Sequence, residues 1–450
     1  MSDYSIINAD ILLSSDNNTE VIDIRQNIME LAFYESLHRP YIDAHIVMVD
    51  DFGFRDQLSI QGTERINLVI ATGEDINEGV INKTFFFSRI TDALKNNERS
   101  EILAIDLVEE HVYVNAMKSI SRSYTKRMED MIVDIMDREL GREVIKSEGL
   151  EPSAQGERKV IIPYLSPLEA VNWIRDRITT KTGSPVYLHS DLYSRNIYMS
   201  SLEQLMAEDL RNEKLPLRFN DASASADPSQ EKLTSYYQIK SFQQVDAEDS
   251  LALYEEGAIG SFYSNLDAGT GQTYGTHISV RNIIDDFYTY GMISKETSQS
   301  IFDPTLNIAG RPSDEYDALF IHQVTSSKTY NQFKSYHDEA IRLDENNAVF
   351  ESRLKIKNKI IRQILKKNVI DIQMDGALYI EKKVSPGDRL RIVFLSPNTK
   401  ADPDKRDGSL DTRRSGDYLL TDISHKMSLE SHDISARLIK LGDLPSDFSL

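Results

Sequence analysis

Acidic residues cluster between Asp402 and Gly408 with a composition that could suit a calcium-binding loop. An EF-hand loop needs oxygen ligands at alternate positions, with its glycine at a fixed place in that series. Here Arg406 stands at the third ligand position, and Asp407 comes one residue too late. The sequence therefore predicts no EF-hand calcium site in this loop.

The other residue types that support catalysis are absent or scattered. The chain has no cysteine, which excludes disulfides, thiolate metal sites and cysteine nucleophiles. Its nine histidines show no H-E-x-x-H spacing. Adjacent acids such as Glu109-Glu110 and Asp285-Asp286 could suggest glycosidase carboxylates, but among 72 acidic residues such pairs arise by chance. We therefore expect no catalytic residue, no metal and no cofactor.

One segment, His189 to Asn196, does match a catalytic spacing. Its H-x-D-x-x-x-x-N pattern is similar to the catalytic loop of kinase-like phosphotransferases, which would make Asp191 the base and Asn196 a magnesium ligand. Phosphoryl transfer also requires a glycine-rich loop over the phosphates and a second magnesium-binding aspartate, and neither is found where it is needed. Because a strand followed by a turn explains the segment more simply, the phosphotransferase is kept only as an alternative.

The charge of the chain is strongly negative. Its 72 acidic and 51 basic residues give a formal net charge of −21. A field of this sign repels phosphate backbones, so we expect no specific nucleic-acid binding. The acidity favours solubility, and it would also suit a surface that DNA must pass without sticking. The chain has no apolar run of the ~18–20 residues that a membrane helix needs and no secretory signal pattern at its start, so we expect assembly in a cytoplasm without membrane insertion.

Strand patterns dominate residues 1–118. Short runs rich in β-forming residues alternate with turn or charged clusters such as Asp50–Gly53, which favours a small barrel or sandwich. The predicted strands are Val21–Ile24, Ala44–Val49, Ile66–Ala71, Thr84–Ile90 and Ile102–His111.

The period of the apolar residues changes in residues 119–215, which we interpret as an α/β domain. Apolar residues within Met128–Leu140 recur at helical spacing, and Gly141 is placed to end that helix. A second helix has a complete start signal with a capping box, Ser166-Pro167-Leu168-Glu169. Short strands follow near Val186–His189 and Asn196–Ser200.

The remaining residues predict a second β domain that is interrupted by an insertion. Residues 216–285 combine a small, polar linker around Asn220–Pro228 with the first part of this domain, including a strand at Gln238–Gln243 and a short helix near 247–260. Residues 286–367 are interpreted as a helical insertion, with a long helix over 331–367, and residues 368–450 complete the β domain. The predicted fold class is therefore α+β and multidomain: two related antiparallel β-barrel-like domains, an α/β domain and a helical insertion.

The end of the chain is similar to its beginning. Three segments of the first β domain match three of the second, in the same order. The pairs are Arg65–Ile70 with Arg389–Phe394, Phe86–Ile90 with Leu419–Ile423, and Ile102–Ala104 with Ile434–Ala436. This pattern favours a duplicated β unit; the alternative is that two unrelated β meanders look alike at this level of detail.

Several motifs, taken in order along most of the chain, match one known family. They are Phe33–Leu37 and Gln61–Ile66 in the first domain, Ser119–Tyr124, the Pro167–Ile178 helix and Gly183–Leu188 in the middle domain, and Gly416–Leu420 and Asp422–His425 at the end. Each motif is weak alone, but their order resembles the central baseplate hub proteins of contractile-tailed, myovirus-type phages.

The resemblance implies a structural protein of the virion tail baseplate, assembled in the host cytoplasm and without catalytic activity. In such a homotrimer, two similar β domains per subunit would form a pseudo-sixfold ring. The ring would adapt the sixfold tail tube to the threefold spike and let DNA pass. Its partners would be the tail tube protein, the spike protein and other baseplate subunits. The hub of a phage-derived contractile injection device is the alternative within the same class.

A long polar loop, Ser396–Gly416, separates two predicted strands. Loops of this length are commonly functional or disordered. We expect either a mobile surface loop or a segment that orders against the tail tube or a neighbouring baseplate protein. The candidate contacts to an acidic partner are Lys405, Arg406, Arg413 and Arg414.

Overall fold

The computed structural model is built mainly of β-strands, with four helices in the part of the chain that it describes. The described residues are 4–15, 18–51, 53, 64–72, 81–95, 100–150, 157–213, 215–219, 237–245, 251, 255, 260–267, 272–279, 281–282, 307–312, 315–317, 319–325, 354, 357–362, 365, 369–376, 379, 382–394, 410–411, 414–429 and 431–445.

Twenty-three strands are described, ten of which come before residue 165. These are β1 Tyr4–Ser15, β2 Asn18–Asp23, β3 Ile28–Ser36, β4 Asp43–Asp50, β5 Arg65–Thr72, β6 Ile81–Lys95, β7 Glu101–Glu109, β8 Ser123–Arg127, β9 Val144–Lys146 and β10 Glu157–Ile161. The others are β11 Val186–Ser190, β12 Ile197–Ser201, β13 Leu217–Phe219, β14 Ile239–Val245, β15 Gly260–Asp267, β16 Gln272–Ser279, β17 Asn307–Ile308, β18 Arg311–Pro312, β19 Leu319–Thr325, β20 Val369–Asp375, β21 Arg389–Phe394, β22 Gly416–Ser428 and β23 His432–Gly442. The helices are α1 Glu110–Met117, α2 Met128–Leu140, α3 Pro167–Arg175 and α4 Leu202–Ala207.

Two helices of the middle domain, α2 and α3, begin where local sequence predicts, and α2 also ends there. Helix α2 ends at Gly141, whose left-handed backbone (φ 63°) is easily adopted only by glycine. At the start of α3, the Glu169 carboxylate accepts hydrogen bonds from the backbone N–H and hydroxyl of Ser166, at 3.0 and 2.9 Å. The apolar faces of both helices pack into one buried cluster with the β11–β12 strands.

One sheet of thirteen strands runs through both ends of the chain. Eleven strands lie in the order β14-β20-β23-β22-β3-β4-β7-β6-β5-β1-β2, and β21 and β13 extend from β22. Two separate apolar cores form on this sheet, one centred on Phe33 and Phe85 and the other on Ile392 and Tyr418. Each end of the chain therefore has a core of its own, although the backbone ladder joins them.

The two ends contain β units with the same strand order. We call β3–β7 the first unit and β14 with β20–β23 the second unit. The order is β3-β4-β7-β6-β5 in the first and β14-β20-β23-β22-β21 in the second, and neighbouring strands are antiparallel throughout. Strands that occupy equivalent places also follow one another in the same chain order.

The pairing registers of the two units also agree. Ile28 faces Met48 in the first unit, as Ile239 faces Met374 in the second, and in both cases the next residue of the first strand is an extra residue in a bulge. A bulge is a local feature of one strand pair, so its recurrence at the equivalent place indicates a duplicated unit rather than two unrelated meanders.

A second bulge supports the same conclusion. Phe86 of β6 faces Arg65 of β5, and Leu419 of β22 faces Arg389 of β21, which are the matches expected from the sequence. Two residues further along each strand, the register against the next strand shifts by one residue. The duplication therefore includes two irregularities of the ladder, although each unit also has a shift of its own, at Ile90/Asp92 in the first and at Asp417/Tyr418 in the second.

The third sequence match is off by one residue. Leu103 faces Met48 as Ile434 faces Met374, so Leu103, and not Ile102, is the counterpart of Ile434. The reason is the alternation of side chains along a strand: Leu103 and Ile434 are both fully buried, whereas Ile102 lies on the opposite face.

The units curl, but the described strands do not close into barrels. A bridge from Arg218 to Gln238 connects β13, which extends from β21, with the residue just before β14, and so brings the two ends of the second unit's strand order close together. The β-rich part of the predicted fold class is confirmed. The barrel-like part is corrected, because a single bridge in the second unit is not a continuous ladder and the described strands form no closed barrel.

Other expectations are corrected where long-range pairing overrides local sequence. Strand β13, which directly precedes the predicted linker stretch Asn220–Pro228, pairs in parallel with β21. The predicted helical insertion, 286–367, contains strands β17–β19 besides helical residues at 357–362, so it is not helical throughout. Most of the long helix predicted over 331–367, the predicted helix near 247–260 and the polar stretch of the linker lie outside the described residues.

Candidate functional site

The two units meet edge to edge along one seam, which we define as the pairing of β3 with β22. Residues Glu30–Ser36 pair antiparallel with Asp422–Ser428. The same edge of β22 pairs with β21 through Gly416–Leu419, because the opposite edge is occupied by β23 along most of its length. Strand β22 is therefore long enough to complete its own unit and to bind the other one.

A row of buried polar side chains crosses the seam. Glu35 of β3 and His425 of β22 are fully enclosed, and their Oε1 and Nε2 atoms lie 3.5 Å apart. On the other side of the ring, His425 Nδ1 lies 3.2 Å from Nε2 of His432. The second Glu35 oxygen accepts a hydrogen bond from the backbone N–H of Leu192, at 2.9 Å. The row links both units and the middle domain.

Burial disfavours the charged form of each ionisable group in this row. Desolvation raises the pKa of Glu35 well above its ordinary value, with further repulsion from Asp191. Desolvation also lowers the pKa values of His425 and His432 to about 3. Both imidazoles are therefore uncharged near neutral pH, so the contact between Glu35 and His425 is not a salt bridge. Such a row favours one register of the seam, because a slip would break the hydrogen bond from Leu192 to Glu35 and the contact between His425 and His432.

The segment that matches a catalytic spacing is a turn that docks the middle domain onto the first unit. The Asp191 side chain accepts hydrogen bonds from the backbone N–H groups of Tyr193 and Ser194, at 2.9 and 2.6 Å. Leu192, which lies between Asp191 and Tyr193 in the sequence, is fully buried in the core of the first unit. This is the strand-and-turn structure expected from the sequence, and it accounts for Asp191 without phosphoryl transfer. The backbone N–H of Asn196 donates to the Ser194 hydroxyl.

A polar cavity of about 440 Å³ lies beside this turn. It is lined by His189, Asp191, Arg211 and Asp388, among others. Arg211 already pairs with Asp388, with Nε and Oδ1 2.8 Å apart. Burial lowers the pKa of His189 to about 4, which makes it a weak base. In the part of the chain that the structure describes, no group of three or more His, Cys, Asp or Glu side chains could hold a metal ion.

A buried ion cluster anchors the first unit to the middle domain a short way from the seam. The Glu109 carboxylate accepts a hydrogen bond from the Ile42 backbone N–H at 2.9 Å, and it lies 3.3 Å from Lys83 Nζ and 3.4 Å from Arg142 Nη2. Burial alone would raise the pKa of Glu109, but Lys83, His111 and Arg142 lower it to below its ordinary value. The cluster therefore holds a charged carboxylate inside the protein.

The sequence assigned no role to the buried groups Glu35, His425 and Glu109. It does contain one signal for Glu35 and His425. Glu35 continues the alternation of the buried residues Leu31 and Phe33, and His425 lies between Ile423 and Met427 in the same way. Ionisable residues at core positions of a strand indicate a polar partner across the ladder. The adjacent acids Glu109-Glu110 were attributed to chance because the chain is rich in acidic residues. Glu109 is in fact the buried centre of the ion cluster.

Of the four predicted contacts in the 396–416 loop, only Arg414 belongs to the described residues. Its Nη1 lies 3.2 Å from Asp411 Oδ2, and its side chain is 42% exposed. The side chains of Lys405, Arg406 and Arg413 lie outside the described residues. Their role as contacts to an acidic partner stays a prediction.

Among the described residues, no helix is long and apolar enough to cross a membrane.

Comparisons with known proteins agree with this architecture. No protein-family model and no curated protein matches the sequence. The 43 kDa tail protein of prophage MuSo2 from Shewanella oneidensis aligns with a TM-score of 0.51 and 10% identity, over 96% of this chain and 98% of its own. The tail protein from Neisseria meningitidis MC58 aligns with a TM-score of 0.51 and 11% identity, over 96% of this chain and 97% of its own.

The chain therefore has the fold of phage tail proteins. The resemblance to a baseplate hub protein, stated from the order of its motifs, is confirmed at the level of the fold.

Proposed function

We propose that this protein is a structural component of the central hub of a contractile phage-tail baseplate. Three copies would form a ring with six similar β units. Such a ring would adapt a sixfold tail tube to a threefold spike, because a sixfold partner needs six equivalent docking faces. The virion tail would be its location, with assembly in the host cytoplasm.

The observation that carries the proposal is the duplication within the chain. The two units agree in strand order, in pairing register and in the place of two bulges. They also lie side by side in one sheet, joined at the seam. Two copies with independent roles would not need to share a ladder, whereas neighbouring units of a ring do.

The charge of the chain fits a ring through which DNA passes. A net charge of −21 gives phosphates few cations to bind, so the lumen wall would not retain the DNA. Asp191 Oδ1 holds the turn, and Arg211 pairs with Asp388, so neither observation supports the phosphotransferase alternative. We propose no catalytic activity for the chain.

Mass photometry of the purified protein tests the proposed assembly. A chain of 51.3 kDa should give a dominant particle of three times that mass. The protein should also bind one end of tubes assembled from the tail tube protein of the same particle, as electron microscopy would show. A stable monomer or dimer that leaves tube ends bare would contradict the hub function.

A further inference from the structure

The seam inside one chain has two counterparts that no described strand fills, the outer edge of β14 and the second half of β6. Strand β14 occupies in the second unit the place that β3 occupies in the first. The outer edge of β3 pairs with β22, but β14 is the last strand of its sheet. Apart from the bridge of Gln238 to Arg218, just before β14 begins, this edge pairs with no strand in the described part of the chain. Among the described strands, none takes the place beside β14 that β22 takes beside β3.

The complementary edge lies on β6, the counterpart of β22. Strand β6 pairs with β5 only through Ile81–Phe86. Its second half, Arg89–Lys95, pairs with β7 on one side and with no described strand on the other. In β22 the corresponding half, Asp422–Ser428, forms the seam. Residues 91–95 are exposed, and Leu94 is 62% exposed, which is high for a large apolar side chain in a strand.

We propose that a second copy of this chain docks here by strand pairing: Arg89–Lys95 of one subunit pairs antiparallel with Ile239–Val245 of the partner subunit and so repeats the seam. The inference rests on the proposed ring and names the contact that closes it. Every subunit then uses one edge of β6 and one edge of β14. A contact between two different edges of each copy generates a closed ring when the rotation between copies closes.

The seam also fixes the register of the proposed contact. Within the chain, Ser424 pairs with Tyr34 and His425 with Phe33. Asp92 and Ala93 are the counterparts of Ser424 and His425, because they face the equivalent residues of β7.

In the partner strand, Val245 and Gln244 are the counterparts of Tyr34 and Phe33, because they face the equivalent residues of β20. Asp92 should therefore pair with Val245 of the partner subunit, and Ala93 with Gln244 of the partner subunit.

The composition of both edges suits a contact that forms only in the correct assembly. Unpaired strand edges aggregate unless charged or polar residues limit their pairing. The β6 edge carries the charged residues Arg89, Asp92 and Lys95. Strand β14 is mostly polar between its two apolar ends, with Phe242 as the exception. The charges on the β6 edge disfavour unspecific sheet growth, while the backbone groups of both edges remain available to one matching partner.

Engineered cysteines test the pairing cleanly, because the natural chain contains none. The double variant Ala93→Cys with Gln244→Cys should oxidise to disulfides between subunits, since paired residues in an antiparallel ladder have Cα atoms about 4.5–5.5 Å apart, within disulfide reach. A non-reducing gel should then show dimers and trimers that collapse to monomers on reduction. A disulfide within one chain would leave the mass unchanged, so the two cases are distinguished.

Two control variants calibrate the result. Ala93→Cys with Lys240→Cys moves one partner four residues along β14, roughly 13 Å at the rise of a strand, and should give no cross-link. Tyr34→Cys with Ser424→Cys joins residues that face each other in the seam, and should give a disulfide within the monomer. Mass photometry of the natural chain is recorded in parallel.

The outcomes separate this inference from the proposed function. Cross-linked trimers from the Ala93/Gln244 variant, and none from the Ala93/Lys240 variant, support the edge pairing. A trimeric natural chain whose Ala93/Gln244 variant forms no cross-link overturns the edge pairing and leaves the trimer standing. Equal cross-linking of both variants also overturns it, because the contact would then have no register. A monomeric chain without cross-links overturns both proposals.

Discussion

Replacing Glu109 by glutamine should strongly destabilise the contact between the first unit and the middle domain. The Lys83 and Glu109 side chains are only 3% and 2% exposed, and their charged atoms lie 3.3 Å apart. Glutamine keeps the shape of Glu109 but removes the charge that compensates Lys83. Breaking one partner of a buried ion pair costs about 3–5 kcal/mol, because the remaining charge is left in a medium that solvates it poorly.

A matched control comes from an exposed pair in the second unit. Lys240 Nζ and Asp433 Oδ1 lie 2.6 Å apart, and their side chains are 50% and 44% exposed. Because water screens this pair, Lys240→Gln should cost only about 0–1 kcal/mol. The second variant Glu109→Gln with Lys83→Met should recover part of the loss of Glu109→Gln, since it also removes the uncompensated charge.

Urea unfolding followed by the fluorescence of Trp173, the only tryptophan, measures these differences in the middle domain. The pH dependence has a defined sign. Because the pKa of Glu109 is lowered in the folded protein, its contribution to stability is present above its ordinary pKa and is lost as the pH falls through the folded value. A Glu109→Gln variant as stable as Lys240→Gln would refute the claim that this buried cluster anchors the two domains.

Three further predictions concern the seam and the turn beside it. Leu192→Ala should lower the free energy of unfolding by about 2–5 kcal/mol in urea titrations, because it empties a fully buried site. Asp191→Ala should lower the free energy of unfolding by about 1–2 kcal/mol, because two hydrogen bonds from the backbone are lost. Calorimetry should detect no Mg–ATP binding to the natural chain or to this variant. Tight binding that the change abolishes would restore the phosphotransferase alternative. His425 and His432 have pKa values of about 3, so only the unfolded chain binds their protons below the ordinary value of about 6.5. Urea midpoints should therefore fall between pH 7 and pH 5, and less so in a variant with both histidines replaced by glutamine.

Local signals predicted helices α2 and α3 and several strands of this protein. The capping residues of α3 and the glycine that ends α2 act within one turn of the helix, so their effect is readable from adjacent residues. Strand β1 was missed because the register shift between Ile6 and Asn8 breaks the alternation that marks a strand. Helix α1 was predicted as the end of a strand because His111 is its only buried residue, so it has little apolar periodicity.

The buried polar row at the seam could not be predicted from the sequence, because it depends on contacts between residues that are far apart in the chain. Glu35 and His425 are far apart in the sequence, and each appeared only in a motif of the resemblance. The three-segment repeat, in contrast, was readable because both copies keep the same order of apolar and turn residues. A one-residue error remained in its third segment, since bulges in β6 and β22 shift the register without a sequence signal that locates them.

Electron cryo-microscopy of the purified oligomer, viewed along its symmetry axis, tests the central claim most directly. We predict class averages of a closed ring with three copies of the chain and six similar β lobes around an open channel. A ring with any other number of lobes, or three copies that meet through the middle domains while their β units point apart, would contradict the account.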